Sequence, residues 1–133
     1  MKEPLWIEER IAIAIHARML TLYGGAPGLR DQGLSESALA RPRQLFAYPE
    51  PPKLIEMAAA YIAGIVRNHP FVDGNKRTGF VVGVLFLETN GCRLTAPEQD
   101  ATRAVLDLAA RLLDENGFVS WLSNHVKLRR KSR

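Results

Sequence analysis

The chain is poor in cysteine: with Cys92 alone among 133 residues, no internal disulfide can form, which fits a reducing compartment. It also lacks any run of the roughly 18 apolar residues that a membrane-crossing helix needs. The first ten residues alternate charged and apolar side chains, without the continuous apolar core of a signal peptide. The expectation is a cytoplasmic protein with no membrane partner. Internal repeats and low-complexity linkers are missing too. So is a strong charge of one sign along the body: the net charge of +4 depends on Lys127, Arg129, Arg130, Lys131 and Arg133, and without them 13 basic residues face 14 acids, a net of −1. No basic stripe for nucleic acid runs through the body, and the terminal cluster reads as a frayed, solubilising end.

What is present is a 47% hydrophobic composition, enough for one core that buries about two-thirds of the unfolded surface. The sequence divides into a single domain over residues 1–126 and a basic tail over 127–133. Apolar positions from Trp6 to Tyr23 recur at helical intervals, with Pro4 suited to a first turn. His16 falls inside this helix and reads as a surface or packing residue. Gly24, Gly25, Pro27 and Gly28 then open a connection. Leu29-Arg30-Asp31-Gln32-Gly33-Leu34 has turn chemistry at its centre and flanks able to pair as a small hairpin. Ser35 to Arg41 reads as a short helix with Ser35 as N-cap and Pro42 as its stop, and Tyr48 to Pro52 as extended.

A third helix carries Leu54, Met57, Ala58, Tyr61, Ile62 and Ile65 on one face and runs to Asn68. Thr78 to Asn90 is read as a helix by its length and its Asn90-Gly91 stop, with Gly79 and Gly83 forming a notch on one face. Thr95-Ala96-Pro97-Glu98 has the form of a capping box opening a helix to about Asp114, which Asn116-Gly117 breaks. Phe118 to Val126 reads as a last short helix, with His125 incidental. The fold class is therefore all-α, a bundle of short helices.

The chemistry concentrates in His69-Pro70-Phe71-Val72-Asp73-Gly74-Asn75-Lys76-Arg77-Thr78-Gly79, a loop between two buried segments. If Lys76 or Arg77 opens the following helix, the first free N–H groups point back into the Asp73-Gly74-Asn75 turn and form an anion cradle. Gly74 allows a positive φ and close approach, Lys76 adds a point charge and Arg77 a planar fork for phosphate oxygens. Asp73 repels phosphate unless a hard cation lies between them, and Mg²⁺ is bound by few carboxylates plus substrate phosphates. His69 stands within reach of a hydroxyl attacking that phosphate. The composite points to phosphoryl or nucleotidyl transfer.

This run resembles the active-site motif of the Fic/Doc family, His-x-Phe-x-Asp/Glu-Gly/Ala-Asn-Gly/Lys-Arg, at every position, and Lys76 in place of Gly resembles the Doc branch, the death-on-curing toxins. Gly33 to Pro42 resembles the corresponding segment of that branch. The resemblance covers about Ile7 to Val126 and implies a Fic/Doc-like helical bundle with a small β-hairpin flap at Leu29, Arg30 and Asp31, where a target segment is aligned. It implies ATP as substrate with Mg²⁺, His69 as general base, Asp73 holding the metal, and Gly74, Asn75, Lys76 and Arg77 gripping phosphates. The implied activity is phosphorylation of a hydroxyl on a translation factor such as elongation factor Tu, with AMP transfer or a non-catalytic antitoxin-binding module as rivals. The self-inhibiting pattern Ser/Thr-x-x-x-Glu-Gly/Asn of some Fic proteins is not found. The implied inhibitor is a separate small antitoxin, Phd-like or other, with DNA touched only through it.

Overall fold

Helix α3 (Leu54–Asn68) is apolar on every side, and Met57 to Val66 are all buried, as expected for a helix surrounded by others. The computed structural model describes residues 2–50 and 52–129 and places the rest of the fold around this helix. The other elements are α1 (Glu9–Tyr23), α2 (Gln32–Phe46), α4 (Asn75–Thr89), β1 (Cys92–Leu94), α5 (Glu98–Ala109), α6 (Glu115–Ser123) and β2 (Val126–Leu128). Helices α2, α4, α5 and α6 pack on α3, and α1 lies against α4. The mostly helical architecture agrees with the sequence expectation.

Close approach of α3 and α4 depends on the glycine notch. A Cβ at Gly79 would lie 3.1 Å from Val66 and 3.2 Å from Ile65, and one at Gly83 only 2.3 Å from Ile62 Cγ1 and 3.2 Å from the Ala58 carbonyl oxygen. On the opposite face, Gly64 meets Ala38 of α2 in the same way, at 3.2 Å. Small residues thus let three backbones converge around the helix that ends at the motif loop.

Several boundaries differ from the sequence reading, each for a tertiary reason. Trp6 is not helical: it wedges between Phe46 and Phe86, with Arg43 over its ring. Ile7 N–H donates to the buried Tyr61 hydroxyl at 3.0 Å, and Leu5 exchanges two hydrogen bonds with the Asn90 amide. These contacts hold the leading segment extended, so α1 starts at Glu9. Helix α2 begins at Gln32, because Asp31 and not Ser35 is its N-cap, accepting from Leu34 N–H at 3.0 Å. Pro42 lies inside that helix with its ring buried. Burial of Ala38, Leu39 and Pro42 outweighs the lost backbone bond. Tyr48 to Glu50 form bends.

Thr95 does not cap α5. Its N–H and hydroxyl both donate to the His125 carbonyl, at 2.6 and 2.9 Å, beside the two-stranded antiparallel sheet of β1 and β2. Helix α5 stops at Ala109, where the Asp107 carbonyl accepts from both Leu112 and Leu113 and Arg111 turns left-handed at φ 62°. Asn116 and Gly117 then sit in α6, whose N-cap Asp114 accepts from Gly117 N–H at 2.7 Å. Lys127 and Leu128, expected in the tail, pair in β2 with Arg93 and Cys92; the tail residues 130–133 lie outside the described residues.

The segment Leu29 to Leu34 does not fold back on itself as a hairpin. Leu29 instead makes a single antiparallel bridge to Phe71, because hydrogen bonding to the motif loop takes the place of local pairing.

Candidate active site

Helix α3 ends on the motif histidine itself. His69 is its C-cap, in the left-handed region at φ 50° and ψ 56°, with its N–H on the Ile65 carbonyl at 3.2 Å. The unsatisfied carbonyls of a helix end need donors, and Arg30 supplies them from outside: Nε donates to His69 O at 2.6 Å and Nη2 to Asn68 O at 2.8 Å. The backbone N–H groups of Arg30 and Asp31 converge on Pro70 O, and Val72 N–H donates to Gly28 O at 3.0 Å. The stretch expected to be a flap is therefore tied along one edge of the loop, with Arg30 and Asp31 both engaged and Leu29 37% exposed.

Asn75 holds the loop from within. Its Oδ1 accepts from Phe71 N–H at 3.0 Å and its Nδ2 donates to Phe71 O at 2.9 Å. That pairing fixes which end of the amide faces His69: Nδ2 lies 3.5 Å from Nδ1 of the ring, the outer limit of hydrogen bonding. The side chain of Asn75, buried at 6% exposure, is thus committed to the loop, and what it leaves for an anion is its backbone N–H at the start of α4. That weak contact sets the Asn75 amide against Nδ1 of the His69 ring. His69 itself is exposed.

From below, α1 contributes His16, which is 5% exposed. Its ring stacks on Phe71 at 3.9 Å and 7° between planes, and its Nε2 lies 2.8 Å from the Asp73 carbonyl oxygen. Since a carbonyl only accepts, Nε2 carries the proton there. Gly25 lets the connection after α1 come equally close: a Cβ there would fall 2.9 Å from Asp73 Oδ2, and Ala26 N–H donates to that oxygen at 3.3 Å.

Gly74, the N-cap of α4, takes φ 78°, and the first bond of that helix is Thr78 N–H to Gly74 O at 3.0 Å. The N–H groups of Asn75, Lys76 and Arg77 precede it and have no intrahelical partner, so they present partial positive charge at the loop. Helix α4 therefore opens one residue earlier than the cradle reading required and three earlier than Thr78. Lys76 and Arg77 are exposed, with the Arg77 guanidinium 4.3 Å from the Tyr23 ring centroid. Asp73 is held below the ordinary carboxylate value, first by the Gly74 N–H, which reaches Oδ1 at 2.9 Å, then by Ala26 N–H, with Lys76 and Arg77 assisting through charge. Its carboxylate is ionised at neutral pH and exposed.

No group of three or more His, Cys, Asp or Glu residues able to hold a metal occurs among the described residues. One ionised, exposed carboxylate beside an array of N–H donors does fit a cation such as Mg²⁺, which takes most of its ligands from water and a bound phosphate.

Sequence reasoning missed two anchors of this loop. Arg30 reads locally as a turn residue, and its role depends on a helix end 38 residues away. His16 had a signal: it sits four residues from buried Ala12 and four from Leu20, on the inward stripe of α1. The Fic/DOC family profile matches residues 6–87. Over 82 residues, 62% of this chain, the sequence is 39% identical to "Protein kinase doc" of Escherichia phage P1, covering 65% of that protein. Over 83 residues, again 62% of the chain, it is 41% identical to "Toxin Doc" of Mycolicibacterium smegmatis, covering 63% of it. The match thus spans a little under two-thirds of each relative.

Proposed function

The chain belongs to the Fic/DOC family, and from that premise we propose that it is a Doc-type toxin which transfers a phosphoryl group from ATP to a hydroxyl of a protein target, a translation factor of the elongation factor Tu kind. The observation that carries this reading is the juxtaposition across one short loop of an imidazole, an ionised carboxylate and three open N–H groups of a helix start. Cytoplasmic action follows from the substrates, and among the described residues no helix is long and apolar enough to cross a membrane.

In this mechanism the N–H groups of Asn75, Lys76 and Arg77, with the Lys76 and Arg77 side chains, hold phosphate oxygens where negative charge builds up. Preorganised donors of this kind act without reorganising during the reaction. Asp73 would hold Mg²⁺, which when bound neutralises phosphate charge. The His69 ring accepts the proton of the attacking hydroxyl, a contribution of about 10² to 10⁴ in rate. The Asn75 side chain, His16 and Arg30 do not touch substrate; they keep the ring, the carboxylate and the helix start in register.

Lys76 also supports phosphoryl over AMP transfer. Its bulk and charge occupy the position where Gly would leave room for more of the nucleotide, favouring a pose with the terminal phosphate toward His69. Incubation of a translation factor with separately α- and γ-labelled ATP is expected to transfer only the γ label, read by intact mass as phosphorylation. Transfer of the α label would replace the kinase reading with AMP transfer. A small antitoxin is the proposed inhibitor, and exposed apolar side chains at Leu22, Tyr23 and Val72 near the loop suit cover by a segment that folds on binding.

A further inference from the structure

Beside the last turn of α3, a cavity of about 180 Å³ opens between α2 and α3. Its floor is Ala38 and Gly64, and its polar wall is Ser37, Arg41, Arg67 and Asn68. Two cations and no acid line it. Arg41 is largely committed: its guanidinium makes a two-point pair with Glu115 of α6, with Nη2 to Oε2 at 2.9 Å. Arg67 is not. Its Nε is buried without a hydrogen-bond partner, and Arg67 takes part in no ion pair among the described residues. A buried donor on a charged group left unsatisfied is expensive, and a second guanidinium on the same cavity adds repulsion.

Both problems have one remedy, an anion in the cavity. We propose that this cavity is an oxyanion subsite that takes a single phosphate or carboxylate group between Arg67, Ser37 and the remaining donors of Arg41. The volume equals that of about six water molecules, below the ordinary range for a whole cofactor, so the ligand enters as one group. A planar fork whose Nε lacks a partner suits two oxygens of such a group. The Ser37 hydroxyl, exposed at the rim, can donate to a third. This subsite is separate from the helix start that holds phosphates in the transfer reaction, and it does not depend on that reaction.

The test is an NMR titration of the ¹⁵N-labelled protein, following the Arg67 Nε–H signal with sodium phosphate, sodium acetate and sodium chloride at matched ionic strength. A saturable shift with phosphate or acetate that chloride does not reproduce is expected. A stronger response to phosphate identifies a phosphate site, and a stronger response to acetate identifies a site for an acidic side chain. Arg67→Met is expected to raise the midpoint about tenfold or more, the loss of a charge-assisted hydrogen bond. Ser37→Glu, on an exposed turn of α2, supplies an internal carboxylate and is expected to raise Tm and abolish the response at Arg67. An equal shift with chloride overturns the proposal, as does a phosphate response confined to the amides of Asn75, Lys76 and Arg77. A Ser37→Glu variant that binds phosphate unchanged also overturns it.

Discussion

The contact between α3 and α4 and the loop that joins them are neighbours held by opposite means. The contact is apolar and so close that a single methyl at Gly83 would collide with Ile62. The loop has two buried apolar side chains, Pro70 and Phe71, and is otherwise fastened by polar pins from three parts of the chain: His16 from α1, Arg30 from the connection before α2, and Asn75 from α4 itself. Packing can set where two helices lie, but it is non-directional. A loop that must aim an imidazole, a carboxylate and a set of N–H groups needs directional bonds. Core changes should therefore lower stability while largely sparing the activity of the folded molecule, whereas pin changes should alter activity out of proportion to stability.

The sharpest separation is expected at His69. His69→Ala should lower the transfer rate by about 10² to 10⁴, or about 3–5 kcal/mol of barrier, with the Tm undiminished; single-turnover transfer and calorimetry on the same sample check both. Gly83→Ala should do the reverse, lowering unfolding free energy by about 1–3 kcal/mol through overpacking, read by urea denaturation. Activity per folded molecule should survive better than in any loop variant, and a loss as large as that of His69→Ala would break the distinction between the two regions.

Arg30→Met removes the donors to Asn68 O and His69 O and should cost about 1–2 kcal/mol of stability. A larger fall in kcat than in kcat/KM measured under denaturant-free conditions would show that the ring has lost its aim. His16→Phe keeps the stack on Phe71 and deletes only the bond to the Asp73 carbonyl. A stability loss of about 1 kcal/mol is expected, along with weaker Mn²⁺ binding by electron paramagnetic resonance; unchanged metal affinity would reduce His16 to a core residue. The smallest effect concerns pH. The carboxyl of Asp73 is depressed from its usual 3.8, so its stabilisation is fully present above that value and lost as pH falls through the lower folded value. The stability difference between the native chain and Asp73→Asn should be flat from neutrality to about pH 5 and shrink only below pH 4.

The parts legible in sequence were those fixed by local pattern. Helix α3 is apolar over ten consecutive residues, and the loop after it has a residue order that few other contexts require. Helix α4 could be read from its length and its glycine spacing. What stayed hidden was set across the fold. Pro42 is a helix stop by local rules and lies inside α2 with its ring buried. Thr95 has the right neighbours for a cap, yet the His125 carbonyl takes both of its donors. Asn116-Gly117 has break chemistry, but Asp114 converts it into the first turn of α6. Of the candidate site, His69, Asp73 and the start of α4 were visible as chemistry. Arg30 was placed on the surface as a docking element, although in the fold its side chain is bound to the end of α3, and Asn75 was assigned to phosphate, although its amide holds Phe71.

At residue 69 the backbone adopts a conformation in which glycine is comfortable and a branched ring is not. The strain amounts to about 1 kcal/mol, and it falls on the residue whose imidazole the proposed transfer would use. Selection of variants for heat tolerance alone would consequently drift toward glycine at this position and yield hardier molecules that had shed their chemistry. Thermal endurance and reactivity compete here for a single side chain.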